Sequence, residues 1–173
     1  MKDILDKAAR IRLVIFDVDG VLTDGSLFVG DYGQEYKAFN SRDGHGIKML
    51  IKHGVTVAII TGRTSKVVEH RMENLGIEHV YQGKLEKLPA YEELAGELGI
   101  SAAETAYVGD DIVDLPVMRR VGLAIAVQDA HPLVRTHSHW QTPSCGGRGA
   151  ARDVCEMLME ARGVLEQEMS SYL

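Results

Sequence analysis

Asp17-Val18-Asp19-Gly20 follows directly on the apolar run Ile11-Arg12-Leu13-Val14-Ile15-Phe16. A β-branched run that stops at an Asp-x-Asp-Gly turn reads as a buried strand delivering two carboxylates to one point. In an open α/β sheet that point, beyond the carboxyl ends of the strands, is where ligands bind. Two acids that close repel each other unless a cation or a shared proton relieves them. Oxygen-only ligands of this kind suit Mg²⁺ better than zinc or copper. An ionised aspartate beside such an ion can also attack phosphorus and form an aspartyl-phosphate. An isolated Asp-x-Asp turn is more often plain acidic surface, so the weight falls on what comes later in the chain.

Three later segments supply what the turn needs. Val55–Ile60 reads as a second strand and ends in Thr61-Gly62-Arg63, a hydroxyl and a guanidinium ahead of a helix start that favours an anion. A helix N-cap by Thr61 or Thr64 explains the same residues without chemistry. Thr105–Val108 reads as a third strand and ends in Gly109-Asp110-Asp111-Ile112-Val113-Asp114, with Asp110 nearest the strand. Charge at a helix start accounts for one of these aspartates, not for two in a row. Gln82-Gly83-Lys84-Leu85-Glu86-Lys87 follows a short strand at His79–Tyr81; either lysine could neutralise a phosphate, or both could be solvated.

The elements that must position these groups alternate along the chain. Gly122–Val127 completes the strand-like segments, and helical period appears in Gly46–Lys52, Ser65–Leu75, Leu88–Leu98, Ile112–Arg120 and Ala150–Arg162. Such alternation calls for βαβ units, right-handed crossovers and a parallel sheet covered on both faces. The expected fold is therefore α/β, three-layered and Rossmann-like, with residues 1–173 forming a single domain. One segment breaks the rhythm: Gly25–Val29 and Glu35–Phe39 flank Gly30-Asp31-Tyr32-Gly33 and read as a β-hairpin projecting beside the acidic turn. A lone hairpin is marginal in water, so it either covers the site or packs on another subunit. The N-terminal residues read as a short helix and not as a signal peptide, and the tail from Val164 as loosely held.

Composition narrows the function classes. The chain has 173 residues, 45% of them hydrophobic and 25% charged, with a formal net charge of −6. That balance argues against nucleic acid or a membrane surface as a partner. No apolar run nears the roughly 20 residues a membrane span requires. Cys145 and Cys155 form neither a disulfide framework nor a zinc pattern and read as reduced cytosolic thiols. His137-Ser138-His139 reads as two imidazoles on one strand face, a solvated edge without zinc partners.

In order and placement these motifs resemble the haloacid dehalogenase superfamily of phosphatases. The resemblance implies Asp17 as nucleophile, Asp19 as general acid and then base, and Thr61 and Lys87 as holders of the transferring phosphoryl group. It implies Mg²⁺ between Asp17, the backbone carbonyl of Asp19, and Asp110. Lys37-Ala38-Phe39-Asn40-Ser41-Arg42-Asp43-Gly44-His45-Gly46, Gln82-Gly83-x-x-x-Lys87 and Gly146-Gly147-Arg148-Gly149-Ala150 are similar, more narrowly, to the 3-deoxy-D-manno-octulosonate-8-phosphate phosphatase family. That family's pattern selects Lys87 over Lys84. It implies a capless fold, consistent with only 43 residues between Asp17 and Thr61 and 48 between Thr61 and Asp110. It also implies a cytoplasmic homotetramer whose hairpins close neighbouring sites, and a place in lipopolysaccharide precursor synthesis. Substrate contacts carried over are Asp19, Asn40, Ser41, Arg42, Asp43, Gly44, Lys48, Arg63, Arg71 and Lys87, although Arg71 reads equally as a solvated helix face.

Local positive charge in an acidic chain, at Lys37, Arg42, Lys48, Arg63, Arg71 and Lys87, independently suggests a ligand more anionic than a single phosphate, such as a sugar acid. Two alternatives stay open: a phosphatase for a nine-carbon keto-deoxy acid 9-phosphate, and a non-catalytic binding module on the same fold. Loss of Asp17, Asp19 or Asp110 would mark the latter, and all three are present. Gly146–Gly149 could bring Arg148 toward a neighbouring site, or simply approach the last helix.

Overall fold

A computed structural model describes residues 2–173. The chain runs through α1 (Lys2–Ala8), β1 (Leu13–Phe16), β2 (Phe28–Val29), β3 (Glu35–Tyr36), α2 (Ser41–Lys52), β4 (Thr56–Ile60), α3 (Lys66–Leu75) and β5 (His79–Tyr81). It continues through α4 (Lys87–Leu98), β6 (Thr105–Gly109), a 3₁₀ turn (Ile112–Asp114), α5 (Leu115–Met118), β7 (Leu123–Ala126), α6 (Pro132–Thr136), β8 (Trp140–Gln141), α7 (Ala150–Ala161) and α8 (Leu165–Ser170). Among the described residues, six strands form one parallel sheet in the order β5-β4-β1-β6-β7-β8, while β2 and β3 pair as a separate antiparallel hairpin. The architecture is α/β, as the alternating pattern requires.

All four residues of β1 are buried, as are those of β7, because the helices cover both faces of the sheet and leave no solvated side. One face carries α2 packed on α7, with α1 against α7 and α3 against α2; the other carries α4 and α5. The order places β1 at the topological switch: the chain winds outward through β4 and β5, then returns to β6 on the other side. Crossovers diverge there, and a crevice opens beyond the carboxyl ends of β1 and β6.

Several boundaries differ from the sequence expectations. α2 begins at Ser41, five residues earlier than Gly46, because the Asn40 side chain caps it by accepting from the amides of Arg42 (2.8 Å) and Asp43 (3.4 Å). Such a cap tolerates the glycines at 44 and 46 that masked the helical period. The edge strand β8 is only two residues long, too short to leave a periodic trace. His137 and His139 do not share a strand: His137 caps the end of α6, and His139 Nδ1 accepts from the Ala124 amide at 2.8 Å. The tail is fastened rather than loose. Glu168 on α8 is buried and accepts from Lys52 Nζ at 2.8 Å, with His53 Nε2 at the same distance.

Candidate active site

β1 ends by donating the Asp17 amide to Val108 O, which extends the ladder with β6 by one residue and aims the Asp17 side chain out of the sheet edge. Its Oδ1 accepts the Val18 amide at 2.7 Å, and its Oδ2 lies 2.7 Å from Lys87 Nζ. Lys87 opens α4, where a cation opposes the helix dipole, and its side chain is 1% exposed. Only partners of opposite charge make that placement tolerable. Asp17 is one of them. Asp114, fully buried, is the other, at 2.7 Å.

Asp114 organises the floor of the crevice. Its Oδ1 accepts from Lys87 and from the Tyr107 hydroxyl at 2.7 Å, and its Oδ2 accepts the amides of Asp110 (3.0 Å) and Asp111 (3.2 Å). The loop after β6 is thereby tied to the lysine of α4. Asp111 spends its own carboxylate capping the Ile112 amide. These bonds give Asp111 and Asp114 separate structural duties and bring in Tyr107, a residue of β6 with no counterpart among the expected site residues. A phenol inside an apolar run carries no periodic signal, so nothing in the sequence pointed to it.

Carboxylate oxygens of Asp17, Asp110 and Asp114 all lie within 4.8 Å of one another. Asp114 is fully buried and does not line the crevice, whereas Asp17 and Asp110 do, so those two form the open face of this cluster. Asp110 Oδ1 is buried and has no hydrogen-bond partner. Burial, then Asp114, Asp17 and Asp111, push the Asp110 carboxyl up to about 8. Burial and Asp114 push Asp17 up to about 6 against the pull of Lys87. Lys87 is held above its ordinary value because Asp114 and Asp17 outweigh the effect of burial. A hard divalent cation fits this donor set: oxygen-only, over-supplied with negative charge, with one orphaned oxygen facing inward. Gly20 has a left-handed φ of +87°, and a Cβ there would run into the Asp110 carboxylate, so the first turn can approach the second only with glycine at this position.

A cleft of about 280 Å³ opens over this floor, lined by Asp17, Asp19, Thr61, Arg63, Lys87 and Asp110 among others, with Leu85 and Val113 as exposed apolar rim residues. Thr61 is buried at the end of β4, its amide bonded to Tyr81 O and its carbonyl to the Lys84 amide. The first capping position of α3 goes to Ser65. Lys87, not Lys84, is the lysine beside Asp17.

The remaining expected substrate contacts separate into two groups. Arg63 lines the cleft wall and donates to Glu35 at 2.8 Å. Asn40, Asp43, Gly44 and Arg71 surround a small void under α2 instead. There Arg71 is half-buried, 5.7 Å over the Phe39 ring and donating to the Asn40 carbonyl at 3.4 Å, so it is not a solvated helix face. Asp43 is buried and accepts the Arg152 amide (2.8 Å) and the Gly149 amide (3.3 Å), fastening the start of α7. Ser41, Arg42 and Lys48 are exposed on α2 and do not line this chain's cleft. The glycine-rich loop packs behind the acidic turn: a Cβ at Gly146 would strike the Gly20 carbonyl, and Gly147 donates to Val21 O at 2.8 Å. Arg148 is exposed and pairs with Asp24 at 3.4 Å.

Comparison with known proteins agrees with this geometry. The sequence profile of haloacid dehalogenase-like hydrolases matches residues 77–152. The 3-deoxy-D-manno-octulosonate 8-phosphate phosphatase of Yersinia pestis is 51% identical over 164 residues, covering 95% of this chain and 88% of that protein. A crystal structure of a 3-deoxy-D-manno-octulosonate 8-phosphate phosphatase from Moraxella catarrhalis, in complex with magnesium, phosphate and KDO, superposes with a TM-score of 0.98. It is 39% identical and covers 100% of this chain and 99% of its own. A cobalt-bound deoxy-D-mannose-octulosonate 8-phosphate phosphatase from Haemophilus influenzae superposes with a TM-score of 0.90, at 42% identity, covering 92% of this chain and 93% of its own.

Proposed function

Because this chain belongs to the 3-deoxy-D-manno-octulosonate 8-phosphate phosphatase family of haloacid dehalogenase-like hydrolases, we propose that it hydrolyses that sugar-acid phosphate to 3-deoxy-D-manno-octulosonate and phosphate. The observation that carries the reading is the Asp17–Lys87 contact of 2.7 Å facing the unpartnered oxygen of Asp110. A nucleophilic carboxylate, a buried cation to receive phosphoryl oxygens and a seat for a hard ion converge on one sheet edge. Phosphoryl transfer needs positioning and charge neutralisation more than anything else.

Asp17 would attack phosphorus, forming the aspartyl-phosphate as the bond to the ester oxygen breaks. The Asp19 carboxyl would give its proton to that oxygen, so the sugar acid leaves as an alcohol. Asp19, now a carboxylate, would take a proton from water attacking the same phosphorus, which releases phosphate and restores Asp17. Thr61 and Lys87 would hold the phosphoryl oxygens, with Lys87 fixed by Asp114. Mg²⁺ would be held by Asp17, Asp110 and the Asp19 carbonyl, where it supplies charge neutralisation for the phosphoryl group. Arg63, on the cleft wall, would meet the substrate's carboxylate.

The chain would act as one catalytic domain in a cytoplasmic homotetramer. In the tetramer, the exposed α2 residues Ser41, Arg42 and Lys48 would complete the substrate surface, while Asn40, Asp43, Gly44 and Arg71 would hold the start of α2 in place beneath them. The test is a panel of phosphorylated sugars and sugar acids assayed with Mg²⁺. The eight-carbon acid phosphate is expected to exceed both the nine-carbon acid phosphate and neutral sugar phosphates in kcat/KM. Exhaustive chelation is expected to abolish turnover reversibly. A preference for neutral sugar phosphates would overturn the substrate assignment, and full activity after chelation would overturn the metal.

A further inference from the structure

We infer that Glu35 on β3 and Lys37 just after it are positioning residues that hold Asp19 in place over the leaving oxygen. The inference rests on the reading of Asp19 as proton donor. Among the described residues, Lys37 is the one hydrogen-bond partner of the Asp19 carboxylate. The contrast with Asp17 is direct, since that carboxylate is pinned from two sides by the Val18 amide and Lys87. Without Lys37, the Asp19 side chain would be free to turn toward solvent.

Lys37 is an unusual lysine. Its side chain is 1% exposed, although it lies on a hairpin whose neighbouring side chains are largely open to solvent. A buried ammonium requires anionic partners, and it has two: Asp19, and Glu35 Oε1 at 3.5 Å. The same Glu35 oxygen accepts from Arg63 at 2.8 Å. Asp19, Lys37, Glu35 and Arg63 therefore form a continuous chain of alternating charge from the proton donor to the cleft wall. Glu35 lies below the ordinary carboxyl range: burial would raise it, but the Arg63 hydrogen bond and the Lys37 charge prevail. It thus stays an anion and bridges the two cations. The base of the hairpin is built into its own active site, whatever its tip contacts.

Positioning of a proton donor has a signature that general structural damage lacks. An alkyl phosphate needs its leaving oxygen protonated as the P–O bond breaks, whereas p-nitrophenyl phosphate expels a stabilised phenolate without a proton. Lys37→Met is expected to lower kcat for the sugar-acid phosphate about 30-fold, and for p-nitrophenyl phosphate less than about threefold. Glu35→Gln, a near-isosteric change at a partly open site, is expected to move the same ratio in the same direction by about threefold. Equal losses on both substrates, or an unchanged ratio, in a folded Lys37→Met protein would overturn the inference. If that variant does not fold, an unchanged ratio in Glu35→Gln overturns it instead. Should the wild type hydrolyse a different alkyl phosphate and ignore the sugar-acid phosphate, the substrate reading fails, and the ratio is measured with the ester it accepts.

Discussion

The floor of the cleft and the hairpin beside it are built by opposite rules. On the floor, Lys87, Asp114 and Tyr107 are buried and each has a charged or hydrogen-bonding partner. On the hairpin, Leu27, Phe28, Val29, Tyr32 and Tyr36 all stand in solvent, Phe28 56% exposed and Tyr32 96%. Buried, partnered polar groups beside a run of exposed aromatics make the floor a finished region and the hairpin a surface suited to a partner. The floor is complete within a single chain. The hairpin leaves its apolar side chains uncovered and is tied in at its base, where Lys37 reaches Asp19.

The sharpest way to break this contrast is at the nucleophile. Asp17→Asn keeps the shape and most hydrogen bonds of the floor but removes the attacking carboxylate. Turnover is expected to fall by more than about 10⁴-fold with the melting temperature little changed, read by a steady-state assay beside thermal denaturation. Wild-type-like turnover would mean that the floor is scaffolding only. The hairpin should answer differently. Phe28→Asp leaves every floor residue in place, yet it puts a charge where a packed aromatic can carry much of an interface's energy. If the hairpin joins subunits as proposed, light scattering is expected to show smaller species than for the wild type, and activity is expected to fall at least about tenfold through lost closure. A fully active wild-type monomer would dissolve the contrast altogether.

Tyr107→Phe probes how finely the floor is set. The substitution removes one neutral donor to a buried carboxylate, which costs roughly 1.5–3 kcal/mol of stability. Asp114 keeps Lys87 and two amides, so Lys87 should shift little, and kcat should fall only about three- to tenfold with KM near wild type. A loss as large as that of Asp17→Asn would place the phenol in the chemistry itself.

The two regions were also unequally legible in the sequence. Strand-end carboxylates announce themselves, because a β-branched run stopping at Asp-x-Asp-Gly or Gly-Asp-Asp leaves few places for the charge to go. The hairpin showed through its glycine turn. What stayed hidden is whatever depends on partners distant in sequence. Asp43 fastens helix α7 through amides more than a hundred residues away. Lys37 and Asp19 meet only because the hairpin folds back on the turn it leaves. β8, with two residues, is held by its neighbour β7 rather than by its own pattern. The polar tail looked loose because its fastening, Glu168, is one charged residue among several, distinguished only by where helix α8 lands.

Glu168 tests whether a buried carboxylate held by a lysine and an imidazole is enough to mark a working site in this fold. It is 3% exposed, paired with Lys52 Nζ and His53 Nε2 at 2.8 Å each, and reached by the Tyr172 hydroxyl at 3.4 Å. In these respects it resembles Asp114. It lies on α8 against the far end of α2, however, away from the crevice. Its carboxyl is held below the ordinary value of 4.5, by the Lys52 and then the His53 hydrogen bonds, against the opposing effect of burial. A carboxyl with a depressed folded value contributes stability above its unfolded value and loses it as pH falls through the folded one. Glu168→Gln is therefore expected to lower the melting temperature modestly near neutrality and to flatten its decline below about pH 4.5. Activity at pH 7 should match the wild type. Thermal melts from pH 7 to pH 3 check the first two statements, and a steady-state assay checks the third. An unchanged acid limb would mean that these contacts contribute nothing to the pH dependence. A large loss of turnover would mean that the tail, like the base of the hairpin, is coupled to the site.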